Sequence, residues 1–218
     1  QACPKPQMTE ADEIEAARKL FAGPCDFVWG ATSAENLPPQ ALNEVAFVGR
    51  SNAGKSSAIN ALTRQRQLAR ASKTPGRTQA LVVFELDAGK RLIDLPGYGY
   101  AKVPEAMRAH WRGMIDRYLR ERASLRGFVL VMDARHPLKD FDRHMLEFAA
   151  ASGRECHCLL TKSDKLSRGE AARTLQAVRK ELATLAPGAT AQLFSSLAKT
   201  GLDEARARVA HWLGLGSA

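Results

Sequence analysis

No apolar run in the chain approaches the roughly 20 residues that span a bilayer. The N-terminus also lacks the basic-then-apolar pattern of a secretory signal. A membrane or exported product is therefore not expected; a cytoplasmic one is. Position 1 is Gln, which leaves Met8 as a candidate translation start. Cysteine is scarce, with four in 218 residues, and their spacing suggests no disulfide framework. Cys156-His157-Cys158 invites a metal reading, but strand alternation puts the two thiols on one face and the imidazole on the other, so buried core thiols are expected. Internal repeats and low-complexity segments are absent. The most telling shortage is of acid. Between Val45 and Phe84 there is no Asp or Glu, whereas Arg50, Lys55, Arg64, Arg66, Arg70, Lys73 and Arg77 all fall there, in a chain of net charge +9. The alternative is a generically basic surface, but so local a field suits a phosphate-rich partner such as a nucleic acid.

What is present begins with Gly49-Arg50-Ser51-Asn52-Ala53-Gly54-Lys55-Ser56, a match to G-x-x-x-x-G-K-[ST]. An apolar stretch, Glu44 to Val48, precedes it and reads as a buried strand; Ser57 to Leu62 follows with helical spacing. Strand, glycine loop and helix N-terminus together point N–H donors and a favourable dipole at an anion. Gly49 and Gly54 are expected to let the backbone turn sharply and approach phosphate closely.

Along the rest of the chain, Glu10–Phe21 reads as a short amphipathic helix ended by Gly23-Pro24. Residues 64–79 are polar and basic, with a turn at Thr74-Pro75-Gly76. Leu81–Leu86 and Arg91–Leu95 form a hairpin around residues 87–90. Pro104, as a first helical residue, opens a helix running to about Arg122. Strands follow at Phe128–Met132, Cys158–Leu160 and Ala191–Phe194, and helices at about 138–151, 168–185 and 202–213. This alternation predicts an α/β fold: a mostly parallel six-stranded sheet with one antiparallel strand and helices on both faces.

A phosphate loop alone leaves ATPase, nucleotide kinase and GTPase open. Three later motifs decide among them. Asp94-Leu95-Pro96-Gly97 is a D-x-x-G at a strand end, where Asp94 can hold a Mg²⁺ water and the Gly97 N–H can bond a γ-phosphate. Thr161-Lys162-Ser163-Asp164 follows a strand; the Asp164 carboxylate can accept from guanine N1–H and the 2-amine, while the Lys162 stem packs along the base. Adenine lacks that donor pair, so a buried Asp164 would go unpaired. Phe194-Ser195-Ser196 ends the last strand, where backbone N–H groups can meet guanine O6. Taken singly each has a plainer reading as a turn or cap; in this order and placement the set identifies a GTPase.

The set resembles the TRAFAC GTPases, with their Ras-like G domain. More narrowly, the strings Gly49–Ser57, Ser72–Gln79 (Ser-Lys-Thr-Pro-Gly-Arg-Thr-Gln) and Asp94–Ala101 (Asp-Leu-Pro-Gly-Tyr-Gly-Tyr-Ala) resemble the EngB (YihA/YsxC) family of bacterial GTPases. The resemblance covers residues 25–213 or so. It implies one G domain over residues 25–215, an N-terminal extension at 1–24, partly helical or disordered, and a tail at 216–218. It implies GTP/GDP binding and Mg²⁺-dependent GTP hydrolysis, a role in assembly of the large ribosomal subunit, and a link to cell division.

The expected nucleotide contacts are Gly49, Arg50, Ser51, Asn52, Ala53, Gly54, Lys55, Ser56, Ser57, Gly76, Arg77, Thr78, Gln79, Asp94, Leu95, Pro96, Gly97, Thr161, Lys162, Ser163, Asp164, Phe194, Ser195 and Ser196. Ser56, Thr78 and Asp94 are the expected Mg²⁺ residues, with Thr74 the rival of Thr78. Lys55, Thr78 and Gly97 are assigned to the chemistry. Tyr98 stands where Ras-like proteins carry the Gln that orients water, so intrinsic hydrolysis is expected to be slow. Asn52 resembles the phosphate-loop Asn of potassium-activated GTPases and is the candidate K⁺ ligand; the alternative is that it only stabilises the turn. The other route is completion of the site by ribosomal RNA of the large subunit or its precursor. Arg108, Arg112, Arg117, Arg120 and Arg122, with Trp111 among them, either grip RNA or form a solvated helix face over a core Trp. Tyr98 and Tyr100 either meet a partner or pack on the sheet. The protein is expected to be a monomer, and Leu215–Ala218 carries no lipidation cysteine for membrane attachment.

Overall fold

The computed structural model describes residues 8–40, 42–69, 80–87, 89–98 and 104–215. Thr74, Gly76, Arg77, Thr78, Gln79 and Tyr100 lie outside them. In chain order the elements are α1 (Glu10–Ala22), β1 (Asp26–Ala31), β2 (Asn43–Gly49), α2 (Lys55–Leu62), β3 (Leu81–Glu85), β4 (Lys90–Asp94), α3 (Glu105–Glu121), β5 (Leu125–Asp133), α4 (Asp140–Ser152), β6 (Glu155–Thr161), α5 (Arg168–Leu185), β7 (Thr190–Leu193) and α6 (Leu202–Trp212).

The strands form one seven-stranded sheet in the order β1-β3-β4-β2-β5-β6-β7. The expected count of six is corrected to seven by β1, which the sequence does not announce. Its first five residues are exposed and only Ala31 is buried, so it carries no alternating pattern; pairing with β3 makes it a strand. The expected single antiparallel strand is β3, which runs opposite to both β1 and β4, while β4-β2-β5-β6-β7 pair in parallel. Pro104 is a cap before α3 rather than its first residue, with ψ 142.

The central strands read as continuous apolar runs because both faces of the sheet are covered. Alternation still sorts their side chains. Ala46, Val48, Phe128 and Leu130 face a core with Tyr118, Met145 and Val178 of α3, α4 and α5. Val45, Phe47, Val129 and Val131 face the other core, with Phe21, Ile59 and Val209 of α1, α2 and α6. Cys156 and Cys158 lie in the first core and are free thiols, as the spacing predicts. His157, buried beside Thr190 and Gln192, donates to Gln192 Oε1 at 2.8 Å and meets Thr190 Oγ1 at 2.6 Å. Helix α1 packs on α6, with Ala17 and Phe21 buried and Arg18 bonded to Asp203 at 2.6 Å.

One buried polar cluster anchors the foot of the sheet. Glu44, fully buried at the start of β2, accepts from Tyr118 Oη at 2.7 Å and from Arg122 Nη2 at 2.7 Å. Arg122 is therefore a buried structural cation and no candidate for RNA. The phosphate loop, Asp94–Gly97, Thr161–Asp164 and Phe194–Ser196 lie at the other end, where the parallel strands finish at Gly49, Asp94, Asp133, Thr161 and Leu193.

Candidate functional site

Gly49 ends β2 and α2 begins at Lys55, so the phosphate loop is the connection between them. Two loop residues adopt left-handed backbone: Asn52 at φ 64 and Gly54 at φ 92. Gly54 needs that freedom; Gly49 does not turn. A Cβ at Gly49 would sit 3.0 Å from the Val131 carbonyl, so its small size serves the close approach of β2 to β5. Gly54 is the N-cap of α2 and makes no side-chain cap bond, which leaves the first N–H groups of the helix for an anion.

Lys55 is nearly buried, and its ammonium bonds the Asp94 carboxylate and the Leu95 carbonyl. Parallel register places Asp94 beside Phe47, two residues before Gly49. Lysine and carboxylate thus meet at two adjacent strand ends, and Ser56 follows Lys55 in the first turn of α2. Tyr98 is laced to the loop: its N–H donates to the Gly49 carbonyl at 3.2 Å, and its carbonyl accepts from the Ser51 N–H. Its ring stacks on Phe141, with centroids 3.9 Å apart and planes 15° apart, and Arg112 reaches its hydroxyl at 3.4 Å. Tyr98 packs on the fold, so its side chain is committed to α4 rather than to the phosphate loop.

The base end is built from β6 and β7. Thr161 Oγ1 donates to the Ala53 carbonyl, tying β6 to the phosphate loop. Lys162, left-handed at φ 56, stretches back so that its ammonium donates to the Asn52 carbonyl at 2.7 Å and pairs with Asp133 at 3.4 Å. Asp133 is held down to about 2, chiefly by the Arg135 guanidinium. Ser163 N–H donates to the Phe194 carbonyl at 3.2 Å, which clamps the two guanine motifs together. Ser195, fully buried, donates its hydroxyl to Asp164 Oδ1 at 2.7 Å and accepts from the Ala198 N–H at 2.9 Å. Asp164 is exposed, not buried as expected, so the carboxylate is oriented by Ser195 yet open to a base. Leu197, on the same loop, is 78% exposed.

The structure brings together Gly49–Ser57, Asp94–Gly97, Thr161–Asp164 and Phe194–Ser196 along one rim. Trp111 is in the core, and Arg108 and Arg112 share Glu105 as ion partner. Arg117 pairs with Glu35 and Glu121, and Arg120 lies over Phe148. The helix thus presents exposed, ion-paired arginines over a core Trp. Among the described residues no group of three His, Cys, Asp or Glu is placed to hold a metal, and no helix is long and apolar enough to cross a membrane.

A family model described as "50S ribosome-binding GTPase" matches residues 44–162. The chain is 57% identical over 186 residues to the "Probable GTP-binding protein EngB" of Stenotrophomonas maltophilia (strain K279a), covering 85% of this chain and 93% of that one. It is 58% identical, over 85% and 90% of the two chains, to the protein of the same name in Xanthomonas euvesicatoria pv. vesicatoria (strain 85-10). Among solved structures, a probable GTP-binding protein engB superposes with TM-score 0.64 at 20% identity, covering 78% of this chain and 98% of that one. Elongation factor SelB from Methanococcus maripaludis, bound to the GTP analogue GppNHp, superposes at TM-score 0.56 and 18% identity over 82% and 35% of the two chains. These two likenesses concern the fold.

Proposed function

The chain belongs to the EngB family of GTP-binding GTPases, and from that membership we propose that it is an assembly factor for the large ribosomal subunit. It docks on ribosomal RNA of the particle or its precursor with GTP bound and leaves after hydrolysis. The observation that carries this reading is the run from Ala46 to Val83, free of acid and rich in Arg and Lys, which contains the phosphate loop itself. The description of the matching family model, as 50S ribosome-binding, points the same way. On this reading the protein works in the cytoplasm as a monomer, off the membrane, and its loss disturbs cell division through the ribosome supply.

Hydrolysis asks the protein mainly for positioning and charge. Lys55 meets the β- and γ-phosphates, exchanging its bonds to Asp94 and Leu95 for bonds to phosphate oxygens. The N–H groups at the start of α2 hold the same charge, and the Gly97 N–H bonds the γ-phosphate. The oxygen donors Ser56 and Asp94, joined by Thr78, suit a hard cation, and we assign them to Mg²⁺. When bound, Mg²⁺ neutralises charge on the β- and γ-phosphates. Tyr98, stacked on Phe141, orients no water, so hydrolysis by the chain alone is slow. Asn52, exposed at the lip of the loop, holds K⁺ as the added positive charge on this proposal.

The test is GTP hydrolysis by the purified chain in K⁺ and in Na⁺, with and without large ribosomal subunits. Stimulation by the particles, larger in K⁺, is the expected result. No stimulation and no GTP-dependent co-sedimentation in either salt would overturn the ribosomal role and favour a switch acting on a protein effector.

A further inference from the structure

Beside the phosphate loop lies a cleft of about 180 Å³, between Arg50–Ala53, the end of β5 and the first turns of α4. Three buried side-chain polar atoms among the described residues have no hydrogen-bond partner; two of them, Ser51 Oγ and Asp142 Oδ1, belong to residues lining this cleft. Asp142 is only 2% exposed. Its other oxygen accepts from the Lys139 N–H at 2.9 Å, which starts α4. Burial pushes its acid up to about 6, while Arg50 and Lys139 pull the other way. A carboxylate so placed is costly unless a cation meets it. A cation is at hand: Arg50 lines the same cleft, its charge acts on Asp142, and it makes no ion pair within 4.0 Å among the described residues.

The adjacent residue touches the segment that follows Gly97. Phe141 carries the Tyr98 ring, and Tyr98 directly follows Gly97. Arg50 and Tyr98 themselves form a backbone bridge. Two consecutive residues of α4 are therefore set against the phosphate loop and the segment after Gly97, the two segments proposed above to meet the γ-phosphate.

We infer that Asp142 is a positioning residue that pairs with Arg50 to fix the outer phosphate loop on α4, so that Phe141 and Asp142 together carry the difference between GTP and GDP into that helix. The inference rests on guanine-nucleotide binding at this site and is independent of the ribosomal partner. Because the pair needs an ionised Asp142, the preference for GTP over GDP falls as pH drops through about 6. The groups facing Asp142 are Arg50 and Lys139; Asp133 and His136 line the same cleft, and Arg135 and Lys162 are paired on Asp133.

The experiment measures the affinities of the full chain for GDP and for a non-hydrolysable GTP analogue between pH 5 and 8, with His136→Gln as the common background. Asp142→Asn keeps an oxygen for the Lys139 N–H and loses the charge. The ratio of analogue to GDP affinity is expected to be about fivefold or more lower in Asp142→Asn than in the parent at pH 8 and to converge with it at pH 5, the nucleotides' own phosphates titrating alike in both proteins. Arg50→Met should match Asp142→Asn, and the double variant should lose no more than either single one. An unchanged ratio in Asp142→Asn, equal weakening of both nucleotides, or additive losses in the double variant would each overturn the inference, since a merely structural residue behaves so. Failure of the parent to bind either nucleotide would instead remove the site reading on which it stands.

Discussion

Replacing Asp164 by Asn tests the guanine assignment most directly. The Asp164 carboxylate accepts from Ser195 Oγ at 2.7 Å through Oδ1, which fixes its orientation and leaves the remaining lone pairs open. Guanine offers N1–H and the 2-amine to them. Hydrogen bonds to a charged group contribute about 1.5–3 kcal/mol each, so the gross interaction is roughly 3–6 kcal/mol. Asp164 is solvated in the free protein, which sets the net value near the low end, about 3 kcal/mol or roughly a hundredfold in Kd. Asn adds a repulsive element, because its amide presents donors to a donor pair. Xanthosine diphosphate carries a carbonyl in place of the 2-amine, and that carbonyl accepts from the same amide. Titration of each diphosphate into the unaltered chain, Asp164→Asn and Ser195→Ala gives the answer. GDP should weaken about a hundredfold in Asp164→Asn and about fivefold in Ser195→Ala, while xanthosine diphosphate gains on GDP only in the first. GDP binding by Asp164→Asn within threefold of the unaltered chain would refute the reasoning.

Three further outcomes are expected. Arg122→Met leaves Glu44 fully buried with Tyr118 and a distant Arg91 as its company, and should cost roughly 3–5 kcal/mol in urea unfolding, whereas Glu44→Gln combined with Arg122→Met should cost much less. Gly127→Ala would put a Cβ 2.5 Å from the Trp212 ring in a filled core, and should lower stability by about 2 kcal/mol in the same assay. Burial lowers His157 from the usual 6.5 to about 4, so the unfolded chain binds the extra proton between those values and stability falls as pH drops through that window. Asp142, raised to about 6, acts with the opposite sign below that pH. The His157 contribution is therefore read as the difference between the unaltered chain and His157→Gln. It approaches about 1.4 kcal/mol per pH unit inside the window, and parallel acid profiles of the two proteins would refute it.

The four nucleotide motifs were legible because each is a local device. A left-handed turn, a strand end and a helix start are set by residues within one short segment, and their order in the chain is their order along the rim. The elements around them were legible for the same reason, since Val45 to Val48 and Phe128 to Met132 are buried from both faces. Strand β1 was not legible: Phe27, Val28 and Trp29 are exposed, so no burial pattern marks them, and only β3 makes them a strand. The solvation of Asp164 was misread because motif spacing carries no information on what surrounds a side chain.

The sequence by itself therefore determined the fold class, the GTPase family and the placement of four motifs at strand ends, all of which depend on short-range backbone geometry. Only the tertiary structure decided which charges work in the interior. Glu44 finds Arg122 and Tyr118 across more than seventy residues, Asp142 and Arg50 line one cleft, and the Tyr98 ring stacks on Phe141. The physical reason is that a charge or a ring is assigned by its surroundings in space, and packing of two helical layers on one sheet brings those surroundings from remote parts of the chain.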